Sequence, residues 1–482
     1  MSEPTTIRLG FLPSYRNRWT DWTAKMRDDS IATLSAIPGV EVFYPKPSEG
    51  EDSCADCGLS PHGAVHNLDE AEAIAEYFRQ KKVDGLVICA LDFGDERSCG
   101  KIAEKLGVPV MLYATKEPPA LDHPSLARVS DSYCGNLGIA LALNRRDIPF
   151  HYAGIFFPDE ADFAAEAETF VRAVAVVKGL KGVRIGQVGV RPPTFETVAY
   201  NEVAMIQKFG ENVIYANISD IVAVAKAFAD DDPKVQAVVQ NIRETVPTIT
   251  VADDYLIKAA KVELALIDFW EKSRLSGMAV QCWPSMGREM GISMCALYGR
   301  LTEQGMLTAC ETDVLGALIM IATHEVARRE TLPHFIDWTI QHRENPNWLM
   351  AWHCGNAPVS LAADPEKVAL RARRDMKGDG PVEEGDPTAG LYQFQVKPGK
   401  VTLCRLTELK GEWKMLIASG EVIPSDETLA GTWSWVEVPD HAKLYRTLVE
   451  EGFIHHASMI HGDYTAALVQ ACKFMGIKPI VV

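Results

Sequence analysis

The first 115 residues alternate between apolar segments of strand length and longer amphipathic segments. Residues 7–12 and 83–90 are the clearest strands, and 68–81 has the pattern of a helix with Asn67 as its candidate N-cap. The 83–90 segment is almost entirely apolar, which is typical of a strand covered on both faces. The alternation predicts βαβ units and therefore a parallel sheet. The first strand ends in the letters LPSYR rather than GxGxxG, so no dinucleotide site is predicted.

A second α/β pattern starts near residue 150, and the pattern changes again after residue 330. There, alternating segments at 392–396 and 401–406 flank a Pro-Gly turn, which predicts a β-hairpin. The predicted fold class is α/β, with two Rossmann-like parallel-sheet domains followed by a β-rich C-terminal domain. The predicted boundaries are 1–148, 149–325 and 326–482. A chain of 482 residues is long enough for three domains of about 150 residues each.

Composition narrows the classes of partner. Hydrophobic residues make up 47% of the chain, too many for a mainly disordered protein. The formal net charge of −17 disfavours binding to nucleic acid. No apolar run reaches the ~18 residues that span a bilayer, and the N-terminus lacks the basic and apolar regions of a signal peptide. The cysteines are scattered, so we expect a cytoplasmic protein that binds neither membrane nor nucleic acid.

Side chains that can bind a metal or move a proton accumulate in the second half. Glu311 and Asp313 precede an apolar helix, Asp337 lies between apolar residues, His353 ends a strand-like segment, and three histidines fall within 455–461. Each has a simpler interpretation: a helix cap for either of the first two acids, a structural salt bridge for the third, and core or subunit contacts for the histidines. Together they form a mixed set of carboxylates and imidazoles, which suits Mn²⁺ or another divalent cation.

The order of these residues resembles that of the L-fucose isomerase/L-arabinose isomerase superfamily, whose members interconvert aldoses and ketoses with a divalent metal. The resemblance implies that Glu311, Asp337, His353 and His456 are the metal ligands. The fucose members have an Asn-His pair at His455-His456, which favours His456, but the arabinose members have His-His, so His455 stays open. Asp337 matches the fucose members and His353 the arabinose members. The chain is therefore interpreted as a divergent member whose sugar follows from neither branch.

The resemblance also implies a reaction. A proton moves between C1 and C2 of an open-chain sugar through a cis-enediol, and the metal stabilises the developing charge. Glu311 and Asp337 are the expected acid/base pair, and which of them is the base stays open. Further residues are expected to contact the sugar or to orient ligands: Arg16, Gln281, Trp283, His455 and His461. For the tryptophan and the arginine, the simpler interpretations are a core residue at a strand end and an ordinary exposed side chain.

The sequence is also compatible with two other classes of function. One is a non-catalytic cytoplasmic sugar-binding or sensor protein, and the other is a metal-dependent epimerase or lyase that uses a similar enediolate. The resemblance further implies a homo-oligomer, a hexamer, in which Arg16 reaches the sugar of a neighbouring subunit. Finally, Cys54 and Cys57 form a CxxC. With no second CxxC and no histidine partner close by, this motif is weak evidence for a zinc or redox site.

Overall fold

The computed structural model describes residues 5–16, 19–46, 60–117, 128–210, 212–372 and 389–482. Contacts between residues divide the chain into two compact units. The first unit consists of the described residues within 4–178 and 466–475, and the second of those within 179–465 and 476–482. The CxxC at Cys54 and Cys57 lies outside the described residues.

The first unit is built on a five-stranded parallel sheet. Its strands are β1 (Ile7–Ser14), β2 (Val40–Phe43), β3 (Gly85–Ala90), β4 (Val110–Thr115) and β5 (Phe150–Phe156). They follow the order β2-β1-β3-β4-β5 across the sheet. Its helices are α1 (Asp21–Ala36), α2 (Leu68–Lys81), α3 (Glu96–Leu106), α4 (Ser132–Asn144) and α5 (Ala161–Leu180). The side chain of Asn67 accepts the backbone N–H of Glu70 and so caps α2, as the sequence predicts.

Both faces of this sheet are covered. Along β3, Leu86 and Ile88 enter one hydrophobic core, while Val87 and Cys89 enter the other. All residues of β3 are buried, which confirms the prediction made from its apolar sequence. The edge strand β5 lies beyond the predicted boundary at residue 148, yet it pairs with β4 and extends this first sheet.

The second unit contains a smaller parallel sheet with the order β10-β9-β6-β7. The strands of this sheet are β6 (Ile185–Val188), β7 (Val213–Ala216), β9 (Gly277–Val280) and β10 (Thr308–Cys310). The short strand β8 (Thr248–Ile249) lies between β7 and β9 in the chain but belongs to the other sheet of this unit. The helices are α6 (Glu202–Phe209), α7 (Ile218–Ala227), α8 (Pro233–Thr245), α9 (Asp253–Ser273), α10 (Ser285–Met290), α11 (Cys295–Glu303) and α12 (Val314–Val326).

The rest of the second unit is dominated by a ten-stranded, mainly antiparallel sheet. Its strands besides β8 are β11 (His334–Gln341), β12 (Trp348–His353), β13 (Ala369–Ala372), β14 (Ala389–Gln395), β15 (Gly399–Leu409), β16 (Glu412–Ile423), β17 (Thr432–Glu437), β18 (His456–His461) and β19 (Lys478–Val481). They follow the order β19-β16-β15-β18-β11-β12-β17-β14-β13-β8. This unit also contains helix α13 (His441–Glu451), whereas the last helix, α14 (Thr465–Met475), belongs almost entirely to the first unit. The two parallel sheets and this β-rich sheet confirm the predicted fold class.

The hairpin predicted across residues 397–400 is wrong. β14 pairs with β13 and β17, whereas β15 pairs with β16 across Lys410-Gly411. These two turn residues have φ of 55° and 87°. Positive φ at both positions gives the tight turn that suits the twist of paired strands, and this turn therefore sets the hairpin.

α12 lies between the two sheets of the second unit. It contacts β9 of the parallel sheet and β15 and β18 of the ten-stranded sheet, and all of its residues are buried. A helix that is apolar on every side is typical of such a core position. The residues that lead into α12 therefore lie where the two sheets meet. Within the described residues, we find no helix whose length and apolar character would let it cross a membrane.

Candidate active site

The ten-stranded sheet brings distant parts of the chain side by side. β11 lies between β18 and β12, and Asp337 on β11 is directly opposite His456 on β18. Residues opposite each other in an antiparallel pair have Cβ atoms about 5 Å apart on the same face. His353 is the last residue of β12. Three of the four predicted ligands therefore come from adjacent strands.

Glu311 comes from the parallel sheet, directly after β10. Glu311 and Thr312 have φ of 59° and 56°, a left-handed conformation that is costly for residues with a Cβ atom. Hydrogen bonds hold this bend, because Thr312 donates its backbone N–H to Val280 O and its hydroxyl to Val190 O. Strained backbone of this kind clusters at functional sites.

The side chains of Glu311, Asp337 and His456 converge. His456 Nε2 lies 2.8 Å from Glu311 Oε2 and 3.6 Å from Asp337 Oδ1, and the His456 side chain is fully buried. Two overlapping sets of potential metal ligands result, each with donor atoms within 4.8 Å of one another: Glu311, His455 and His456, and Asp337, His353 and His456. The structure thus brings together all four predicted ligands and the alternative, His455.

Asp313 belongs to the same cluster, although the sequence suggested only a helix cap. It does cap α12, because its Oδ1 accepts the backbone N–H of Gly316 at 2.8 Å. It also forms a two-point ion pair with the Arg405 guanidinium and accepts a hydrogen bond from His456 Nδ1 at 2.9 Å. Asp313, Arg405 and His456 are all buried. The Nδ1 contact leaves Nε2 as the atom of His456 that faces Glu311 and Asp337.

Arg405 was not predicted as part of the site, although its place in the sequence is unusual. It is the only basic residue between Val401 and Leu409, in a strand that is otherwise largely apolar. A charge in such a strand requires a partner, because an unpaired buried charge is very costly. The sequence does not identify that partner, since Asp313 lies 92 residues away along the chain.

Charges within the site shift two pKa values in opposite directions. Burial disfavours the charged form of His456, but hydrogen bonds to Asp313 and Glu311 outweigh it and raise its pKa to about 9. Burial also favours the neutral form of Glu311, but the hydrogen bond and the charge of His456 lower its pKa to about 2. His456 and Glu311 therefore form an ion pair at neutral pH. Nε2 must release its proton before it can bind a cation.

Within the described part of the chain, His353 and Asp337 each present a buried polar atom without a hydrogen-bond partner. Nδ1 of His353 accepts the backbone N–H of Cys354 at 2.9 Å, and Nε2 lies 4.0 Å from Asp337 Oδ1. Each unsatisfied atom costs about 1–3 kcal/mol, so a ligand between them would stabilise the site. The carboxylate and imidazole donors fit a divalent cation of the Mn²⁺ type. A neutral His353 with this hydrogen bond carries its proton on Nε2, so it would bind a cation only after a change of tautomer.

The indole of Trp283 contacts the carboxylate of Glu311. Its Nε1 donates to Glu311 Oε1 at 2.9 Å, and its ring contacts Phe195 edge-on. Trp283 is 40% exposed, so it is not a buried core residue at a strand end. Gln281, which follows β9, is only 2% exposed and lies against Gly189.

His461 is not brought into this cluster. It lies at the opposite end of β18 from His456, about 16 Å along the strand. Its Nε2 contacts the carbonyl of Lys397. Arg16 belongs to the first unit, where its guanidinium pairs with Glu96 and lies over the Phe93 ring. Its contact with the sugar of a neighbouring subunit stays a prediction.

Two family models match this chain, one towards each end. Residues 44–181 match the N-terminal domain of fucose/sulfoquinovose isomerase. Residues 351–481 match the C-terminal domain of L-fucose isomerase, a segment that contains β12, β15 and β18.

Curated relatives agree with these models. The sulfoquinovose isomerase of Alkalicoccus urumqiensis is 26% identical over 401 residues, which cover 83% of this chain and 86% of the relative. That of Priestia megaterium is 23% identical over 444 residues, which cover 92% of this chain and 95% of the relative. A solved periplasmic solute-binding protein from Actinobacillus succinogenes with bound D-allose is 12% identical, covers 67% of this chain and 92% of its own, and has a TM-score of 0.18, which supports no conclusion.

We call Glu311, Asp337, His353 and His456 the carboxylate–imidazole cluster. Together with the α/β scaffold and these matches, this cluster defines a carbohydrate isomerase, which is an intramolecular oxidoreductase that interconverts aldoses and ketoses. The chain belongs to the L-fucose isomerase-like superfamily. The resemblance drawn from the sequence is thus confirmed, and so is the class of enzyme that it implied.

The Asp313 network makes a prediction about stability. Asp313→Ala leaves the Arg405 guanidinium buried without its carboxylate, so we expect the free energy of unfolding to fall by about 3–5 kcal/mol. Asp232→Ala is the matched control, because Asp232 caps α8 through the Lys234 N–H on an exposed surface, and losing a cap costs about 1 kcal/mol. Urea denaturation measures both variants. Equal losses would mean that Asp313 acts only as a helix cap.

Proposed function

We propose that this isomerase is metal-dependent and that it moves a proton between C1 and C2 of an open-chain monosaccharide through a cis-enediol. The observation that carries the proposal is the pair of unpartnered buried atoms, Asp337 Oδ1 and His353 Nε2, beside the Glu311–His456 ion pair. Carboxylates and imidazoles serve both as metal donors and as proton carriers. One cluster can therefore supply both functions that the reaction needs.

Glu311, Asp337 and His456 would hold the cation, with His353 as a fourth ligand and Mn²⁺ as the preferred ion. When bound, a divalent cation polarises the sugar oxygens and stabilises negative charge that develops on them. Asp313 orients His456 by accepting the hydrogen bond from Nδ1. The His455 ring instead lies against Phe195 and His456, which favours His456 as the ligand.

Glu311 and Asp337 would carry the proton between the two carbons. Trp283 donates to one oxygen of Glu311 and His456 contacts the other, so the direction of this carboxylate is fixed. Asp337 Oδ1 has no hydrogen-bond partner within the described residues, so its capacity to accept a proton is unused. The exposed part of the Trp283 indole offers an apolar surface against which a sugar ring or chain can pack. The two carboxylates exchange the roles of acid and base when the reaction runs in reverse.

The relatives named above are sulfoquinovose isomerases, which makes sulfoquinovose the first sugar to test. Three further parts of the proposal rest on the superfamily resemblance and on composition. They are a homo-oligomer of hexamer type, a contact between Arg16 and the sugar of a neighbouring subunit, and a cytoplasmic location.

The test of this function is turnover in deuterium oxide. We expect the full-length protein with Mn²⁺ to convert sulfoquinovose, or another aldose of a panel, into its ketose and to place deuterium on C1. A chelator should stop turnover, and added Mn²⁺ should restore it. Formation of an epimer without a ketose, or a change in carbon count, would instead show an epimerase or a lyase. Binding without any turnover would show a sugar-binding protein.

Removing the charge of either carboxylate tests the acid/base pair. We expect Glu311→Gln and Asp337→Asn each to lower kcat by at least about 10²-fold, because proton transfer by a positioned group contributes about 10²–10⁴-fold. Glu437→Gln is the control, since Glu437 is an exposed carboxylate on β17. Circular dichroism checks that the variants fold. Near-normal kcat in either site variant would remove that residue from the proposal.

Substituting the two adjacent histidines one at a time should lower the affinity for Mn²⁺ to different extents. His456→Ala should lower the affinity for Mn²⁺ by more than about tenfold, the lower end of the effect of removing a partner of a metal ligand. His455→Ala should lower it less, because the His455 ring lacks the Asp313 contact that orients His456. Metal analysis after dialysis measures both variants. The opposite ranking would make His455 the ligand.

A further inference from the structure

Four cysteines line one cavity beside the carboxylate–imidazole cluster. The cavity has a volume of about 390 Å³, and its wall also includes Glu311 and His353. The cysteines come from four separate places in the fold: Cys282 after β9, Cys295 at the start of α11, Cys310 at the end of β10 and Cys354 after β12. Neither the reaction nor the matches to relatives accounts for this concentration of thiols.

The thiols contact one another in a chain. Cys295 lies beside both Cys310 and Cys354, and Cys282 lies beside Cys310. One donor atom each from Cys295, Cys354 and His353 lies within 4.8 Å of the others. In a tetrahedral zinc site, Zn–S bonds of about 2.3 Å place neighbouring sulfur atoms about 3.8 Å apart. The thiol cluster therefore needs little movement to close around a cation.

The donor chemistry separates this cluster from the carboxylate–imidazole cluster. Thiolate sulfur with imidazole nitrogen is the donor set of zinc sites, whereas Mn²⁺ and Mg²⁺ prefer oxygen donors. His353 belongs to both donor sets, once with Cys295 and Cys354 and once with Asp337 and His456. It is 2% exposed, and its Nε2 has no hydrogen-bond partner among the residues that the structure describes.

We propose that Cys295, Cys354 and His353 form a second cation site that takes a thiophilic divalent cation such as Zn²⁺, in the cavity that Cys310 also lines. Binding releases the protons of the thiols that become ligands. Because His353 is shared, a cation held by the thiols withdraws it from the carboxylate–imidazole cluster. The same cation occupies the cavity that borders Glu311, so it opposes turnover. This last consequence rests on the proposed function, whereas binding itself does not.

Direct binding tests the second site. The full-length protein, saturated with Mn²⁺, is dialysed against Zn²⁺ and its metal content is measured. In parallel, Co²⁺ replaces Zn²⁺ because thiolate-to-cobalt charge transfer absorbs in the near ultraviolet. We expect the wild type to bind Zn²⁺ and, with Co²⁺, to show this near-ultraviolet absorption band. Cys295→Ser and Cys354→Ser should each weaken binding by at least about tenfold and remove the band, since losing a ligand costs no less than losing its supporting partner.

Two controls separate this site from its neighbour. Cys404→Ser replaces a buried thiol of β15 that does not line the cavity, and it should keep both Zn²⁺ binding and the band. His456→Ala removes a carboxylate–imidazole ligand and should keep the band. Absence of the band in the wild type overturns the proposal, as does a band that survives in both cysteine variants or disappears in His456→Ala. No substrate is present, so failure of the proposed isomerase reaction would leave these results unaffected.

Discussion

The site depends on the hydrogen bonds and the ion pair that the Asp313 carboxylate makes. Its two oxygens accept four hydrogen bonds, from Gly316, twice from Arg405, and from His456. These partners come from α12, β15 and β18, so one buried carboxylate fixes a helix against two strands. Burying a guanidinium is costly unless its charge is paired, and the positive end of the α12 dipole further favours a carboxylate at this place. The direction of the His456 ring follows from this pairing.

The pairing register of the strands brings the other predicted ligands together. Asp337 and His456 are far apart in the chain but directly opposite each other in the sheet. His353 ends the strand on the other side of β11. Glu311 arrives from the other sheet, directly after β10 and ahead of the helix that lies between the two sheets. Two layers of different topology are thus needed to bring four ligands together, and neither layer alone contains them all.

The fold could be predicted from the sequence where the signal is local. The fully apolar β3 and the Asn67 cap were correct because burial on both faces and helix capping leave patterns within a few residues. The hairpin was wrong because Lys410-Gly411, a pair of residues with positive φ, sets the turn instead of the Pro-Gly pair. The carboxylates and His456 were predicted as ligands from their order along the chain, and the structure brings them together. Arg405 was missed because its partner is distant in sequence, and His461 was grouped with its neighbours although β18 carries it to the other end of the strand.

Glu311 and Thr312, the two successive left-handed residues before Asp313, affect which substitutions this protein tolerates. Each left-handed residue with a side chain costs about 1 kcal/mol or more, and Thr312 is β-branched, which makes it one of the least suited to that conformation. Glycine at either position would relieve this backbone cost, but it would also remove bonds that the present side chains make. At Thr312 it would remove the hydroxyl that donates to Val190 O, and at Glu311 the carboxylate that contacts Trp283 and His456. The backbone bend and the direction of the Glu311 carboxylate are therefore linked, and a substitution that relaxes the first also releases the second.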